Sequence, residues 1–153
     1  MCRRGFDAHD TDRENNAVWV HRVTGDITAS ALVADRSGDW LDEQEWRLVP
    51  SKIEALAARG ERELVFLCGA TANENEVWHL FSRVIYLAID EDTLRRRLAS
   101  RTSNDFGKAP NELAAILEWH KDSESNYRRF GAQVIDATLP LDQVVDEIVH
   151  AAR

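Results

Sequence analysis

Two stretches of the chain are apolar at every position, and most of the remainder repeats its apolar residues at helical spacing. Residues 64–68 (Leu64-Val65-Phe66-Leu67-Cys68) and 84–89 (Val84-Ile85-Tyr86-Leu87-Ala88-Ile89) are runs of the kind seen in parallel strands buried on both faces. Residues 6–10 and 133–136 read as shorter strands. Residues 50–59 set Ile53, Leu56 and Ala57 on one helix face, and Gly60 supplies a stop. A helix is predicted over 75–81. Another is predicted over 90–100, with Asp92 near its start and Arg95, Arg96 and Arg97 later, an order that suits the helix dipole. Residues 110–130 form a long helix, and 141–152 an amphipathic one with Val144, Val145, Ile148 and Val149 inward. Residues 11–46 show no clear period; 18–22 and 31–34 read as extended or helical.

Strands alternating with helices predict an α/β fold, a parallel sheet with helices on both faces. No repeat or low-complexity linker interrupts it, and the three prolines, Pro50, Pro110 and Pro140, stand where helices start or loops turn. A single domain over residues 1–153 is expected, long enough to bury about 70% of the surface its unfolded form exposes.

Composition narrows the partners. Acidic residues outnumber basic ones 27 to 19, and the net charge of -8 repels nucleic-acid backbones and anionic membranes. No segment approaches the roughly 20 apolar residues that span a bilayer, so a cytoplasmic location and no membrane partner are expected. Cys2 and Cys68 lack any disulfide or zinc spacing and read as free thiols, Cys68 as a small buried hydrophobe. The five histidines share no metal-ligand spacing. The five tryptophans read as core or substrate-pocket packing, since an acidic chain offers no basic groove for a stacking platform.

In open α/β sheets ligands bind beyond the carboxyl ends of the strands, which directs attention to four segments. Asp10-Thr11-Asp12 can hold magnesium through water with one carboxylate and orient a substrate hydroxyl with the other; an Asp-rich turn is equally a helix cap. Gly69-Ala70-Thr71 lets backbone approach a ligand closely, or is a plain tight turn. Arg97 and Arg101, four apart on one helix face, can stack on a base and clamp phosphate oxygens, or form a solvated face. Beyond them residues 102–112, containing Asn104-Asp105-Phe106-Gly107-Lys108, read as a mobile lid. Finally Asp136-Ala137-Thr138-Leu139-Pro140 can read a nucleobase through backbone groups or simply join a strand to a helix.

Over nearly its whole length the chain resembles the P-loop small-molecule and nucleoside kinases, the group that includes adenylate kinase and shikimate kinase. Closest in appearance are bacterial proteins described as AAA-family ATPases or nucleoside kinases. Asp10-Thr11-Asp12, the 104–108 segment, the stretch 112–120 and the run 135–142 carry the likeness. The resemblance implies ATP and Mg2+ as cofactors, with Asp10 near magnesium and Asp12 on the acceptor hydroxyl. It implies Arg97 on the adenine, Arg101 and one of Arg128 or Arg129 facing phosphates, and Lys108 in the lid.

The family also uses G-x-x-x-x-G-K followed by Ser or Thr, and that motif occurs nowhere here. The only Gly-Lys pair, Gly107-Lys108, lies in the lid segment. Close to its start stand Arg3-Arg4-Gly5, residues that resemble the end of the helix after that loop. A domain lacking its first strand and phosphate loop is therefore expected, with an exposed sheet edge that favours self-association. Two functions remain open. One is ATP-dependent phosphoryl transfer to a nucleoside or similar small hydroxyl-bearing metabolite in the complete protein, the given chain being inactive. The other is a degenerate nucleotide-binding or regulatory module.

Overall fold

The computed structural model describes residues 1–28, 36 and 39–153. Contacts divide the chain into two compact units, Met1–Ser82 and Arg83–Arg153. Helices and small parallel sheets make the fold α/β.

In the first unit β1 (Asp7–Asp10) runs parallel to β5 (Val65–Cys68), in register from Asp7 opposite Val65 to Asp10 opposite Cys68. Between them in sequence lie β2 (Ala17–His21), β3 (Ile27–Thr28), the short helix α1 (Trp40–Glu43), β4 (Gln44–Leu48) and helix α2 (Pro50–Gly60). β3, β2 and β4 form an antiparallel sheet in which Trp19 faces Trp46 and Ala17 faces Leu48. Because side chains alternate along a strand, one face of this sheet collects Ala17, Trp19, Trp46 and Leu48. Ala17 and Leu48 join Ile53 and Val77 in the buried core, against which Trp46, Leu67, Leu80 and Phe81 pack.

The sequence pattern did not foresee this antiparallel sheet. Residues 18–21 do prove extended, whereas 31–34 lie outside the described residues. The helix expected over 75–81 divides into α3 (Glu74–Val77) and a 3-10 turn at Trp78–Leu80.

One expectation about β5 needs correction. The run 64–68 reads as buried on both faces, yet Val65, Phe66 and Leu67 are half-buried and Cys68 is exposed. A parallel strand is buried on both faces only inside a wide, layered sheet; among the described residues β5 pairs with β1 alone.

The second unit contains β6 (Ile85–Ala88), α4 (Glu91–Ser100), α5 (Pro110–Arg129), β7 (Gln133–Asp136) and α6 (Leu141–Ala151). β6 and β7 pair in parallel, Ala88 opposite Asp136, and β6 too is not buried on both faces as its apolar run suggests, for Ile85, Tyr86 and Ala88 are half-buried and Leu87 is exposed. Ile135, Ala137 and Val144 are buried together, with Ile85, Ile89, Leu139 and Ile148 packed around them. Helix ends follow local chemistry. Asp90 caps α4 by accepting from the Thr93 amide at 2.6 Å, and Asp92 stands in the first turn as expected. Pro110 opens α5. α5 closes in a Schellman motif, the Ala132 amide on the Tyr127 carbonyl and the Gly131 amide on that of Arg128.

Candidate functional site

In each unit the residues at issue follow the carboxyl end of a parallel strand. In the first unit the ends of β1 and β5 are fastened together by the Thr11 amide, which donates to the Cys68 carbonyl at 2.9 Å. Asp10 is exposed; its Oδ1 accepts the Asp12 amide at 2.9 Å, and its carbonyl accepts Asn16 Nδ2 at 3.0 Å. The tripeptide is thus a tight Asx-type turn. Asp10 Oδ2 has no hydrogen-bond partner among the described residues, which suits one contact to a magnesium ion that otherwise keeps its waters. Asp12 stands exposed beside it.

Thr11, 3% exposed, fills the space where Gly69 would carry a Cβ: that atom would lie 1.9 Å from Thr11 Oγ1. Gly69, at φ +143, is what lets the two strand ends approach this closely. The loop after β5 is then pinned to β4. Asn73, 1% exposed, accepts the Leu48 amide at 2.7 Å and donates to the Leu48 carbonyl at 3.2 Å, while the Ala72 amide donates to the Trp46 carbonyl. Trp46 Nε1 and Thr71 Oγ1, close to this junction in sequence and pairing, are buried without a hydrogen-bond partner.

Cys68 is exposed as a residue, but surrounding protein and then the Asp10 carboxylate push its thiol above the ordinary range. It is therefore a poor nucleophile near neutral pH. His9 lies between two carboxylates, Nδ1 at 2.8 Å from Glu14 and Nε2 at 3.0 Å from Asp7, with Arg59 also on Asp7. Glu14 and Asn15 adopt left-handed backbone in succession. Among the described residues no group of three or more His, Cys, Asp or Glu side chains is arranged to hold a metal ion.

In the second unit the loop after β7 is a compact turn. Asp136 Oδ1 accepts both the amide and the hydroxyl of Thr138, at 2.8 and 2.7 Å. Those bonds, hydroxyl first, hold the Asp136 carboxyl below its usual range against the opposing charge of Asp90. Ala137 is buried, and its amide donates to the Ala88 carbonyl. Pro140 is the N-cap residue of α6.

Arg97, exposed on α4, donates from Nη2 to the Ala137 carbonyl at 2.6 Å. Arg101, half-buried, donates from Nε to the Asn104 carbonyl at 3.1 Å and from Nη2 to that of Phe106 at 2.5 Å. Lys108 pairs with Asp105 at 2.9 Å. Arg128 gives its charge to Glu124 at 2.8 Å, and Arg129 stands exposed in the same last turn of α5.

The partnered arginines differ in their acceptor, and Arg96 donates to a hydroxyl, that of Thr93, at 3.0 Å. Arg22, Arg47, Arg59, Arg95 and Arg128 end on carboxylates. Arg97 and Arg101 end on backbone carbonyls, and neither has an ion pair among the described residues. In a chain of net charge -8, guanidinium groups left to neutral carbonyls keep their attraction for an anion. An oxyanion offers such a group what a carbonyl lacks, a full opposite charge and a bidentate geometry.

The structure therefore joins Arg97 to Ala137, Asp136 to Thr138, Asp10 to Asp12, and Arg101 to the 104–106 backbone. Arg128 is committed to Glu124. Sequence reasoning missed Asn73 and Glu112, whose buried carboxylate accepts the Gly107 amide at 2.7 Å. The Glu112 contact spans five residues and carries no recognisable spacing signal. Asn73 meets its partner 25 residues away, beyond the reach of any local pattern. No family model matches the chain, and no curated protein or solved structure matches it either. No helix among the described residues is long and apolar enough to cross a membrane.

Proposed function

We propose that this chain handles the nucleotide and the acceptor in an ATP-dependent phosphoryl transfer to a nucleoside or similar small hydroxyl-bearing metabolite, after the manner of the P-loop small-molecule kinases it resembles. The observation that carries the reading is the pair Arg97 and Arg101, two cations that, among the described residues, are held by neutral carbonyls in an acidic chain. Their setting agrees with it. Arg97 touches the turn after a parallel strand, and such strand ends are where α/β sheets bind ligands.

On this reading the nucleobase lies against Arg97 and the 136–140 turn, and Arg101 faces phosphate oxygens. Lys108, paired with the exposed Asp105, adds charge from the 102–109 loop. In the first unit, the resemblance gives Asp12 the acceptor hydroxyl, whose proton it would take as that oxygen bonds the γ-phosphorus and the bond from phosphorus to the ADP oxygen breaks. Asp10 would hold magnesium through its unused oxygen, the ion supplying neutralisation of phosphate charge.

The cradle of amides and lysine that stabilises the transferring phosphate in such kinases has no counterpart in these 153 residues. By themselves they should bind nucleotide without turning it over. The same observation favours a second reading, a nucleotide-binding or regulatory module without kinase activity. An in-frame GxxxxGKS or GxxxxGKT upstream of Met1 in the gene selects the first; a stop codon there selects the second.

Both readings require a nucleotide site. Calorimetric titration with Mg·ADP should give saturable binding that weakens about fivefold or more in Arg97→Gln, the loss expected for one charge-assisted contact. No saturable heat up to about 5 mM ligand, an affinity no better than ~3 kcal/mol, would rule the proposal out.

A further inference from the structure

We propose that Arg101 and residues 102–109 form an anion-operated strap: a phosphate-bearing ligand draws the Arg101 guanidinium off the loop, and the loop then swings about an anchor at Gly107. The inference rests on the reading of Arg97 and Arg101 as a phosphate-facing pair, and adds how occupancy of that site is transmitted.

The loop is held at two ends by bonds of different kinds. At one end Arg101 forks onto the Asn104 and Phe106 carbonyls, and the Asn104 side chain accepts the Phe106 amide at 2.8 Å. At the other end the Gly107 amide donates to Glu112, 3% exposed. Gly107 itself, at φ +92, sits so tightly that a Cβ there would lie 2.6 Å from Ile116 Cδ1 and 3.1 Å from Leu98 Cδ2. A ligand can contest only the first end. Phosphate oxygens add opposite charge and bidentate geometry that two neutral carbonyls lack, and carbonyls of a surface loop can turn to water at little cost. Nothing comparable reaches the buried Glu112 end. The Asn104 and Phe106 carbonyls are therefore released while Gly107 stays fixed.

Coupling of this kind is reciprocal. If the anion loosens the strap, loosening the strap must favour the anion. Asn104→Ala, which removes the acceptor for the Phe106 amide and leaves Arg101 in place, should tighten Mg·ADP binding by about threefold, less than one hydrogen bond's worth.

The direct test is amide exchange followed by NMR on the whole chain, without ligand and with saturating Mg·ADP. Exchange at Phe106 and Lys108 should accelerate on binding, with Gly107 unchanged and the Arg101 Nε–H resonance displaced. Arg101→Gln should show fast exchange at Phe106 and Lys108 whether or not Mg·ADP is added. Arg101→Lys, which keeps the charge and loses the fork, should bind Mg·ADP yet exchange just as fast. Binding with unaltered exchange at Phe106 and Lys108 overturns the strap and leaves the proposed function standing. Absence of binding overturns both. Slow exchange persisting in either Arg101 variant shows that Arg101 does not hold the loop, and also overturns the strap.

Discussion

Replacing Gly69 by alanine tests how closely the ends of the first parallel pair are forced together. The new Cβ would lie 1.9 Å from Thr11 Oγ1, 2.6 Å from Thr11 Cγ2 and 2.8 Å from Thr11 Cβ. Thr11 cannot simply retreat, because it is 3% exposed and its amide is bonded to the Cys68 carbonyl, one residue before the substitution. Overpacking of this severity costs about 1–3 kcal/mol. Forcing a side chain onto backbone at φ +143 adds roughly 1–2 kcal/mol. A total near 2–5 kcal/mol is a large part of the ~5–15 kcal/mol that holds a domain together.

Thr11→Ala alone should cost about 1 kcal/mol, the worth of the buried methyl it removes. It also removes the two atoms nearest the new Cβ, so the double variant should be more stable than additivity predicts by about 1–2 kcal/mol. Urea unfolding reads this directly. Four of the five tryptophans, Trp19, Trp40, Trp46 and Trp78, lie in the first unit, and Trp119→Phe silences the other. Strict additivity, or a Gly69→Ala cost below about 0.5 kcal/mol, would refute the claim that Thr11 is wedged against Gly69.

Other expectations follow from single contacts. Asn73→Ala strands the Leu48 amide and carbonyl in the core and should cost about 2–4 kcal/mol by the same unfolding assay; a loss near zero would mean that loop 69–73 is not held through this amide. The Asp90 carboxyl is held below its ordinary range by the Thr93 amide and then the Thr93 hydroxyl. Its stabilisation is therefore present above the ordinary carboxylate pKa and disappears as pH falls through the depressed one. Asp90→Ala should be less stable than the parent at neutral pH and equal to it in acid, with unfolding midpoints across pH as the measurement. Burial and then Asp10 raise the Cys68 thiol, so alkylation at Cys68, followed by peptide mass, should rise with pH at a midpoint above that of an ordinary thiol. Asp10→Asn should bring that midpoint partway down; an unmoved one would exclude the carboxylate's contribution.

Much of the second unit is legible from periodicity alone. The run 84–89 contains β6, Gln133–Asp136 is β7 residue for residue, and the predicted helices over 90–100, 110–130 and 141–152 match α4, α5 and α6 to within a residue at each end. These elements announce themselves because their apolar spacing or continuity is a local property. The antiparallel sheet of the first unit was illegible for the opposite reason. Gln44-Glu45-Trp46-Arg47-Leu48 alternates like many short polar segments, and it becomes a strand through a partner, Ala17–His21, that lies far back in the chain. Within the candidate site, Asp10, Arg97, Arg101 and the 136–140 turn were identifiable by their place after strands and on a helix face. Asn73 and Glu112 were not, since a buried amide or carboxylate looks in sequence like any exposed one.

What the amino-acid order determined by itself is where the helices and the parallel strands form, which residues can carry charge to a strand end, and that no GxxxxGKS or GxxxxGKT occurs in it. Tertiary structure alone decided the partners of those charges. Arg128 finds Glu124 one turn away, whereas Arg97 reaches a carbonyl 40 residues distant and Arg101 turns back onto its own loop. Spacing constrains which groups share a face. Whether a guanidinium there meets a carboxylate or a neutral oxygen depends on the folded backbone, brought in from 40 residues away for Arg97 and from the adjoining loop for Arg101, and the proposed anion site rests on that difference.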